Sequence, residues 1–160
     1  MKKKHLIHLT SSLRVGGAET VLCDLVQGLQ DEFEQTVIFI HDGPKRQVLE
    51  ALGVPTYQLK GWFSVYDPGL LINLYVLFKK LRPDVVHSLL WLANVSSRMV
   101  CAVLGIPLVS AYHNNLDQDG WVRNVCDRVT VSLARQLVAV SPEVAESIHK
   151  FIPSVRVPIT

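Results

Sequence analysis

Two adjacent glycines, Gly16 and Gly17, separate a short apolar segment from a segment with helical periodicity. Glycine has no Cβ, so the main chain can turn sharply there and a bulky or charged ligand can approach it closely. If a helix begins at this point, its free N–H groups and its dipole favour an anion such as phosphate. Tight packing of strand against helix is the alternative reason for the pair, and the local sequence leaves both open.

Two histidines are the other candidates for chemistry. His113 comes directly after one predicted strand, and His87 lies within the preceding predicted strand. A neutral imidazole can donate or accept a hydrogen bond, and it gains a charge near neutral pH. A satisfied structural histidine is the alternative for each. We expect no function for the remaining histidines, His5, His8, His41 and His149, because they have no ligand spacing.

Several familiar sites are absent from the sequence. The glycines do not follow the G-x-G-x-x-G spacing of dinucleotide-binding loops, and there is no G-x-x-x-x-G-K-[ST] phosphate loop. We find no Ser-His-Asp order, no carboxylate pair and no cluster of metal ligands. The sequence therefore predicts no metal site and argues against a P-loop nucleotidase.

An aromatic segment, KGWFSVYDPG at 60–69, carries Trp62, Phe63 and Tyr66. With the basic residues Lys60, Lys79, Lys80 and Arg82, it could form a surface that contacts lipid or an apolar acceptor. Aromatic rings folded beneath the loop are the alternative.

The hydrophobic pattern predicts strands that alternate with helices. Buried strands are predicted at 5–10, 36–41, 55–59, 84–90, 107–112 and 137–141. A first helix is predicted after the two glycines, with Leu22, Leu25, Val26 and Leu29 on one face, and further helices at about 45–52, 70–81, 93–104, 121–135 and 142–150. Ser141 is well placed to cap the last helix, with Pro142 at its first position. Strands that are apolar throughout and separated by helices indicate a doubly wound α/β fold with a parallel sheet.

Charge and cysteine content exclude some classes of protein. The net charge is +2, but the residues after Lys4 carry 13 basic and 14 acidic groups, so no nucleic-acid-binding surface is indicated. The three cysteines, Cys23, Cys101 and Cys126, have no metal-binding spacing, and we expect reduced thiols. No apolar run approaches the roughly 20 residues that a membrane helix needs. We expect a cytoplasmic chain.

Three stretches together resemble the amino-terminal domain of family 4 retaining glycosyltransferases. They are RVGGAETVLCDLVQGL near the start, RPDVVHSLLWLANVSSRMVCAVLGIPLVSAYHN at 82–114 and RQLVAVSPEVAESI at 135–148. The resemblance extends over essentially the whole chain and rests on order and spacing. It implies a GT-B architecture, in which two Rossmann-like domains face each other across a cleft. Residues 1–160 would be the acceptor-side domain, and a second domain would bind the nucleotide-sugar donor.

The resemblance also implies roles for individual residues. Gly16 and Gly17 match a glycine loop that borders the donor phosphates and the transferred sugar. His113 matches a histidine close to the reacting sugar, so it is the catalytic candidate. Three further residues are expected to line the cleft: His87, Asn114 and Ser141.

The segment 154–160 alternates like the start of a strand. We therefore expect residues 1–160 to be one domain of a longer polypeptide, inactive without the donor-binding domain.

The predicted function is transfer of a hexosyl unit, with retention, from a nucleotide sugar to a glycan or lipid-linked acceptor, as in polysaccharide or lipopolysaccharide biosynthesis. We expect no cofactor, no metal and no nucleic-acid partner, and peripheral contact with the inner face of the membrane is an option. One alternative is an NAD(P)-dependent oxidoreductase or epimerase-type domain, for which Asp42 supplies an acidic residue but the glycines do not fit. A non-catalytic α/β binding module is the other.

Overall fold

Strands and helices alternate along the chain as the hydrophobic pattern predicts. A computed structural model describes residues 3–64, 66–116, 120–153 and 155–160. The strands are β1 (Lys4–Ser12), β2 (Phe33–His41), β3 (Thr56–Gln58), β4 (Val85–Leu89), β5 (Leu108–Tyr112) and β6 (Gln136–Ala139). The helices are α1 (Gly17–Gly28), α2 (Lys45–Ala51), α3 (Pro68–Leu81), α4 (Trp91–Leu104), α5 (Trp121–Thr130) and α6 (Pro142–Phe151).

The six strands form one parallel sheet in the order β3-β2-β1-β4-β5-β6. Helices α1 and α2 pack on one face, where Leu22, Val26 and Leu49 are buried. Helices α3, α4 and α6 contribute to the larger cluster on the other face. Because both faces are covered, the strands are apolar on both sides, and the prediction of a doubly wound α/β fold is confirmed.

Two element boundaries differ from the predicted ones for physical reasons. Strand β2 begins at Phe33, three residues before the predicted start, because the polar Gln35 is buried and hydrogen-bonded within the sheet layer. Helix α5 ends at Thr130 rather than 135, because a 3-10 turn, Val131–Leu133, directs Val131 and Ala134 into the core.

The last residues begin to pair with β6. Ile159 forms a parallel bridge with Leu137, whose N–H donates to the carbonyl of Pro158 at 2.9 Å. This agrees with the strand-like pattern predicted at 154–160. Residue 154 lies outside the described residues, and so do residues 117–119 of the loop before α5.

The thiols of Cys23, Cys101 and Cys126 are free, as expected. Among the described helices, none is both long and apolar enough to cross a bilayer.

A buried guanidinium joins three elements on the α4 side of the sheet. Arg98 of α4 has no exposed surface, and its Nη1 donates to Asp127 Oδ1 of α5 at 2.5 Å. Its Nη2 donates to the Tyr112 hydroxyl of β5 at 2.7 Å, and that hydroxyl donates to Asp127 Oδ1 at 2.9 Å. Burial raises the pKa of Tyr112. The charge of Arg98 is thus satisfied inside the protein, and α4, β5 and α5 are held in one arrangement.

We expect Arg98→Met to lower the free energy of unfolding by about 3–5 kcal/mol, because it leaves Asp127 as an uncompensated buried charge. Arg46→Met is the matched control, since Arg46 of α2 pairs with Asp42 and Glu50 at the exposed surface, and this substitution should lower the free energy of unfolding far less. Urea denaturation of both variants measures the difference. Equal losses would show that the buried network adds nothing beyond a surface ion pair.

Candidate functional site

The carboxyl ends of β1, β2, β4 and β5 open onto one cavity. In a parallel sheet of this kind, ligands bind outside the carboxyl ends of the strands, where the connections diverge. The cavity has a volume of about 240 Å³ and is lined by Ser11, His41, Tyr66, Leu90, Trp91, Leu92, Asn94, Ala111, Tyr112, His113, Asn114, Arg123 and Asp127. We refer to it as the crevice. It contains two of the predicted site residues, His113 and Asn114.

The turn from β4 into α4 forms part of the crevice. Leu90 caps α4 with φ of 70° and ψ of 155°, a conformation that non-glycine residues rarely adopt and that costs about 1–3 kcal/mol. In the first turn of α4, the N–H of Ala93 donates to Ser11 Oγ at the end of β1, at 3.0 Å. Such strain persists only where the surrounding structure enforces it, so this turn is a candidate functional position in its own right.

One wall of the crevice combines an aromatic ring with a cation. The Arg123 guanidinium lies over the Trp91 ring at 5.0 Å, and the Trp91 indole N–H donates to the Arg123 carbonyl at 3.3 Å. This cation–π pair ties the first turns of α4 and α5 together. The wall therefore offers positive charge and an apolar ring face. It also offers polar groups from Tyr112, which is held by Arg98, and from Asn94, whose amide donates to the Ala111 carbonyl at 2.9 Å.

The two glycines of the loop after β1, Gly16 and Gly17, have different surroundings. Gly16 caps α1 in extended conformation, and a Cβ at Gly16 would collide with the carboxylate of Glu19. A Cβ at Gly17 would have nothing within 4 Å. A side chain at Gly16 would thus have to displace the Glu19 carboxylate, whereas the exposed Gly17 leaves open space above the first turn of α1, whose N–H groups have no partner within the helix. Neither glycine lines the crevice itself.

His113 connects the crevice with the start of α1. It is half-buried, and no described residue lies within hydrogen-bond distance of its buried Nε2. Burial lowers the pKa of His113, and the negative charge of Glu19 partly opposes this shift. Glu19, only 8% exposed, therefore lies near both Gly16 and His113. At neutral pH His113 is an uncharged ring that can form one further hydrogen bond through Nε2.

The structure places His87 against the buried His8. His87 Nδ1 lies 3.1 Å from Nδ1 of His8, and the rings meet edge to face. Burial lowers the pKa of His8 to about 4 and that of His87 to about 3. His87 is half-buried and does not line the crevice. Its contact with a ligand stays a prediction.

Ser141 and Asn114 lie in different places relative to the crevice. Ser141 Oγ accepts from the N–H of Val144 at 3.4 Å, so the predicted cap of α6 is confirmed. Ser141 does not line the crevice, and its contact with a ligand stays a prediction. Asn114 is exposed at the crevice mouth.

The aromatic rings of segment 60–69 are exposed rather than folded beneath the loop. Phe63 is 95% exposed, and Trp62 and Tyr66 are also exposed, Tyr66 at the crevice. The Asp67 carboxylate accepts from the backbone N–H groups of Phe63 and Ser64 at 2.6 and 2.7 Å. These bonds lower the pKa of Asp67 to about 2. The Asp67 side chain thus holds the loop through its backbone N–H groups.

The predicted combination of this loop with Lys79, Lys80 and Arg82 is wrong, whereas Lys60 belongs to the segment itself. Lys79, Lys80 and Arg82 lie at the end of α3, whereas the aromatic loop precedes its start. A helix of 14 residues is about 20 Å long, so the two groups are at opposite ends of the sheet. The aromatic surface is therefore separate from these cations.

Sequence reasoning missed the polar groups inside the fold. Arg98 is the one charged residue in the apolar segment 91–104, and that isolation was a usable signal for a buried ion pair. Its partner Asp127 had no such signal, because α5 has a mixed polar pattern. The bonds of Gln35 and His8 depend on neighbouring strands and could not be read from local sequence.

Residues 15–159 match the family model described as Glycosyltransferase Family 4. The chain belongs to this family. The resemblance to its amino-terminal domain is thereby confirmed. The family match argues against the alternative of an NAD(P)-dependent domain. Comparison with curated protein sequences gives no match.

Solved structures show the same fold as this family 4 domain. HepE of Anabaena, in complex with UDP and glucose, is 18% identical with a TM-score of 0.80 over 92% of this chain and 41% of HepE. The lipopolysaccharide outer core galactosyltransferase WaaB is 17% identical with a TM-score of 0.71 over 92% of this chain and 42% of WaaB. A putative UDP-N-acetylglucosamine 2-epimerase from Listeria monocytogenes is 15% identical with a TM-score of 0.68, over 94% of this chain and 42% of the epimerase.

These likenesses confirm a Rossmann-like α/β domain as found in GT-B glycosyltransferases. The family 4 chain spans about two fifths of the length of the three structures. Because an epimerase shares the fold, the fold alone does not separate transfer from epimerisation.

We expect stability to fall as the pH drops from 7 to 5, because His8 and His87 stay neutral in the folded chain. Their pKa values are about 4 and 3 when folded and about 6.5 when unfolded, so below pH 6.5 the unfolded chain binds more protons. The measurement is the free energy of unfolding in urea at several pH values.

His8→Gln should reduce this pH dependence, whereas His149→Gln, at an exposed position, should leave it unchanged. The same slope in the original chain and in His8→Gln would contradict the assignment.

Proposed function

We propose that this chain is the acceptor-side domain of a glycosyltransferase that moves a hexosyl unit from a nucleotide sugar to a glycan or lipid-linked acceptor. Membership of glycosyltransferase family 4 carries the proposal. Retention of configuration enters from the sequence resemblance alone. The donor-binding domain is expected in the rest of a longer polypeptide, so this domain by itself should be inactive.

The start of α1 supports a role near the donor. In the transfer, the bond between the anomeric carbon and a phosphate oxygen breaks, a bond to the acceptor oxygen forms, and the proton of the acceptor hydroxyl passes to the departing phosphate or to water. Negative charge therefore develops on the departing nucleoside diphosphate, and preorganised N–H donors stabilise it. The open space above Gly17 would admit such a group to the first-turn N–H groups of α1.

His113 is suited to contact the transferred sugar. Its pKa is lowered by burial, so the ring is neutral at physiological pH, and its Nε2 has no partner among the described residues. A sugar hydroxyl in the crevice would satisfy that nitrogen. We assign His113 the catalytic position and Asn114, at the mouth, a contact with sugar hydroxyls.

The exposed apolar groups near the crevice suit an acceptor with a lipid part. Tyr66 lines the crevice, Phe63 belongs to the same loop, and α5 presents Trp121, Val125 and Val129 at helical spacing on its exposed face. An amphipathic helix of this kind favours the boundary between water and lipid. We therefore propose a cytoplasmic protein in peripheral contact with the inner face of the membrane, with no nucleic-acid partner.

No cofactor enters the proposal, because the nucleotide sugar is a substrate. Among the described residues, no group of three or more His, Cys, Asp or Glu side chains is arranged to hold a metal ion. The absence of a metal requirement stays a prediction.

Epimerisation is the second candidate, because a putative UDP-N-acetylglucosamine 2-epimerase has the same fold. The two activities differ in their products. An epimerase inverts a carbon of the nucleotide sugar with no acceptor, whereas a transferase releases the nucleoside diphosphate. Mass spectrometry and NMR of products from a panel of UDP-, GDP- and ADP-sugars, incubated with the full-length polypeptide, separate the two.

We expect Gly17→Val in the full-length polypeptide to lower turnover by about 10²-fold, the scale of losing one transition-state donor, since the side chain would fill the space over the first turn of α1. The fold should be unchanged, because a Cβ at Gly17 meets no atom of this domain. Gly17→Ala, with a smaller side chain, is the matched control and should retain more activity. Normal turnover by the valine variant would refute a phosphate-facing role.

We expect His113→Ala to lower turnover of the full-length polypeptide by more than tenfold, with little change in melting temperature, because the His113 Nε2 forms no hydrogen bond within the described domain. Steady-state kinetics and a thermal melt together make the measurement. A large fall in melting temperature with retained turnover would instead make His113 a structural residue.

A further inference from the structure

Three polar side chains form a hydrogen-bonded row on the α1 face of the sheet. They come from three adjacent strands: Gln35 from β2, His8 from β1 and His87 from β4. Gln35 and His8 are buried, and His87 is half-buried. We refer to Gln35, His8 and His87 as the histidine row. Buried polar groups of this kind need complete hydrogen bonding, so the protons on each ring can be assigned from the geometry.

The carbonyl of Val26 fixes the first member of the row. Val26 lies in the last turn of α1, where carbonyl groups have no partner within the helix. It accepts from Gln35 Nε2 at 2.9 Å. Because a carbonyl can only accept, the amide of Gln35 has a single orientation. Its Oε1 therefore faces His8, at 3.0 Å from His8 Nε2.

The orientation of the Gln35 amide determines which ring nitrogen of each histidine carries the proton. Gln35 Oε1 accepts, so His8 Nε2 carries the proton, and in a neutral ring Nδ1 of His8 is a lone pair. His87 Nδ1 lies 3.1 Å from it and must donate. His87 is then an Nδ1–H tautomer, and its Nε2 is a bare acceptor. Burial keeps both rings neutral, with pKa values of about 4 and 3.

His87 lies on the same face of the sheet as His113. It is paired with Val109 of β5, and His113 follows Val109 at an even spacing of four residues, on the same side. Four residues of strand span about 13 Å, so His113 lies further toward the carboxyl edge of the sheet than His87. His87 is only half-buried on this face, so its unprotonated Nε2 is open to a sugar that extends inward from the His113 ring.

We propose that Gln35 and His8 are positioning residues that hold His87 as the Nδ1–H tautomer, and that His87 Nε2 accepts a hydrogen bond from a hydroxyl group of the sugar substrate. The hydrogen bond between His87 Nε2 and the sugar rests on the proposed function, whereas the tautomer of His87 does not. A site with a fixed acceptor selects a hydroxyl donor and discriminates strongly against an analogue that lacks it. His87 would then determine specificity for a sugar hydroxyl.

The tautomer is measured directly by long-range proton–nitrogen NMR of the full-length polypeptide labelled with ¹⁵N-histidine. We expect a protonated Nδ1 and an unprotonated Nε2 for His87, and the reverse for His8. In Gln35→Leu, we expect each of the two histidines to show a mixture of its two neutral tautomers. Gln58→Leu is the matched control, because Gln58 Nε2 also donates to a carbonyl, that of Ile40, at 3.3 Å but away from the row. A protonated Nε2 on His87 in the original protein would overturn the assignment.

Kinetics of the same polypeptide test the contact with sugar. His87→Ala and Gln35→Leu should each lower kcat/KM on the order of tenfold, the effect of about one hydrogen bond. The double variant should be no worse than His87→Ala, since both remove one interaction, while Gln58→Leu should match the original protein. Multiplicative losses would overturn the coupling, and unchanged kcat/KM in His87→Ala would overturn the sugar contact.

Failure of the proposed function is distinguishable from failure of this inference. If the original protein transfers no sugar from any donor, the proposed function falls and the sugar contact falls with it. The tautomer is read from the NMR alone and stands or falls independently.

Discussion

The charge of Arg98 is the constraint on which the crevice depends. A guanidinium without exposed surface must find partners inside the protein, and it finds them on β5 and α5, through the Tyr112 hydroxyl and the Asp127 carboxylate. Replacing such a pair with apolar residues need not cost stability, so its value lies in geometry. By fixing α5 against α4, the network places Arg123 over the Trp91 ring and shapes the wall of the crevice.

Helix α1 links the two polar sites on the opposite face through its two ends. Its first turn supplies free N–H groups beside Gly17 and the carboxylate of Glu19 near His113. A carbonyl of its last turn, that of Val26, orients Gln35 and so starts the histidine row. Both ends use groups that the helix itself leaves unpaired. One helix can therefore bind an anion at its first turn and, through the Val26 carbonyl in its last turn, determine the tautomers of His8 and His87.

The order of elements and the doubly wound sheet could be predicted, because strands buried on both faces are apolar throughout and glycine and proline mark the helix ends. Because parallel strands share their carboxyl ends, the predicted strands also place the glycine loop after β1 and His113 after β5 at the same edge of the sheet. The sequence could not separate the reasons for Gly16 and Gly17, because the collision with Glu19 depends on how that side chain folds back. Nor could it predict the partners of Arg98 or His87, which come from distant strands and helices brought together only by folding.

The central claim is that the crevice edge, between the first turn of α1 and His113, holds the sugar and diphosphate of the donor. The direct measurement is a crystal structure of the full-length polypeptide with UDP, GDP or ADP, whichever binds by calorimetry, followed by the corresponding nucleotide sugar. The account predicts diphosphate oxygens within hydrogen-bond distance of the Gly17 or Ala18 N–H and the sugar against the His113 ring. A donor bound elsewhere, with both groups left facing solvent, would contradict it.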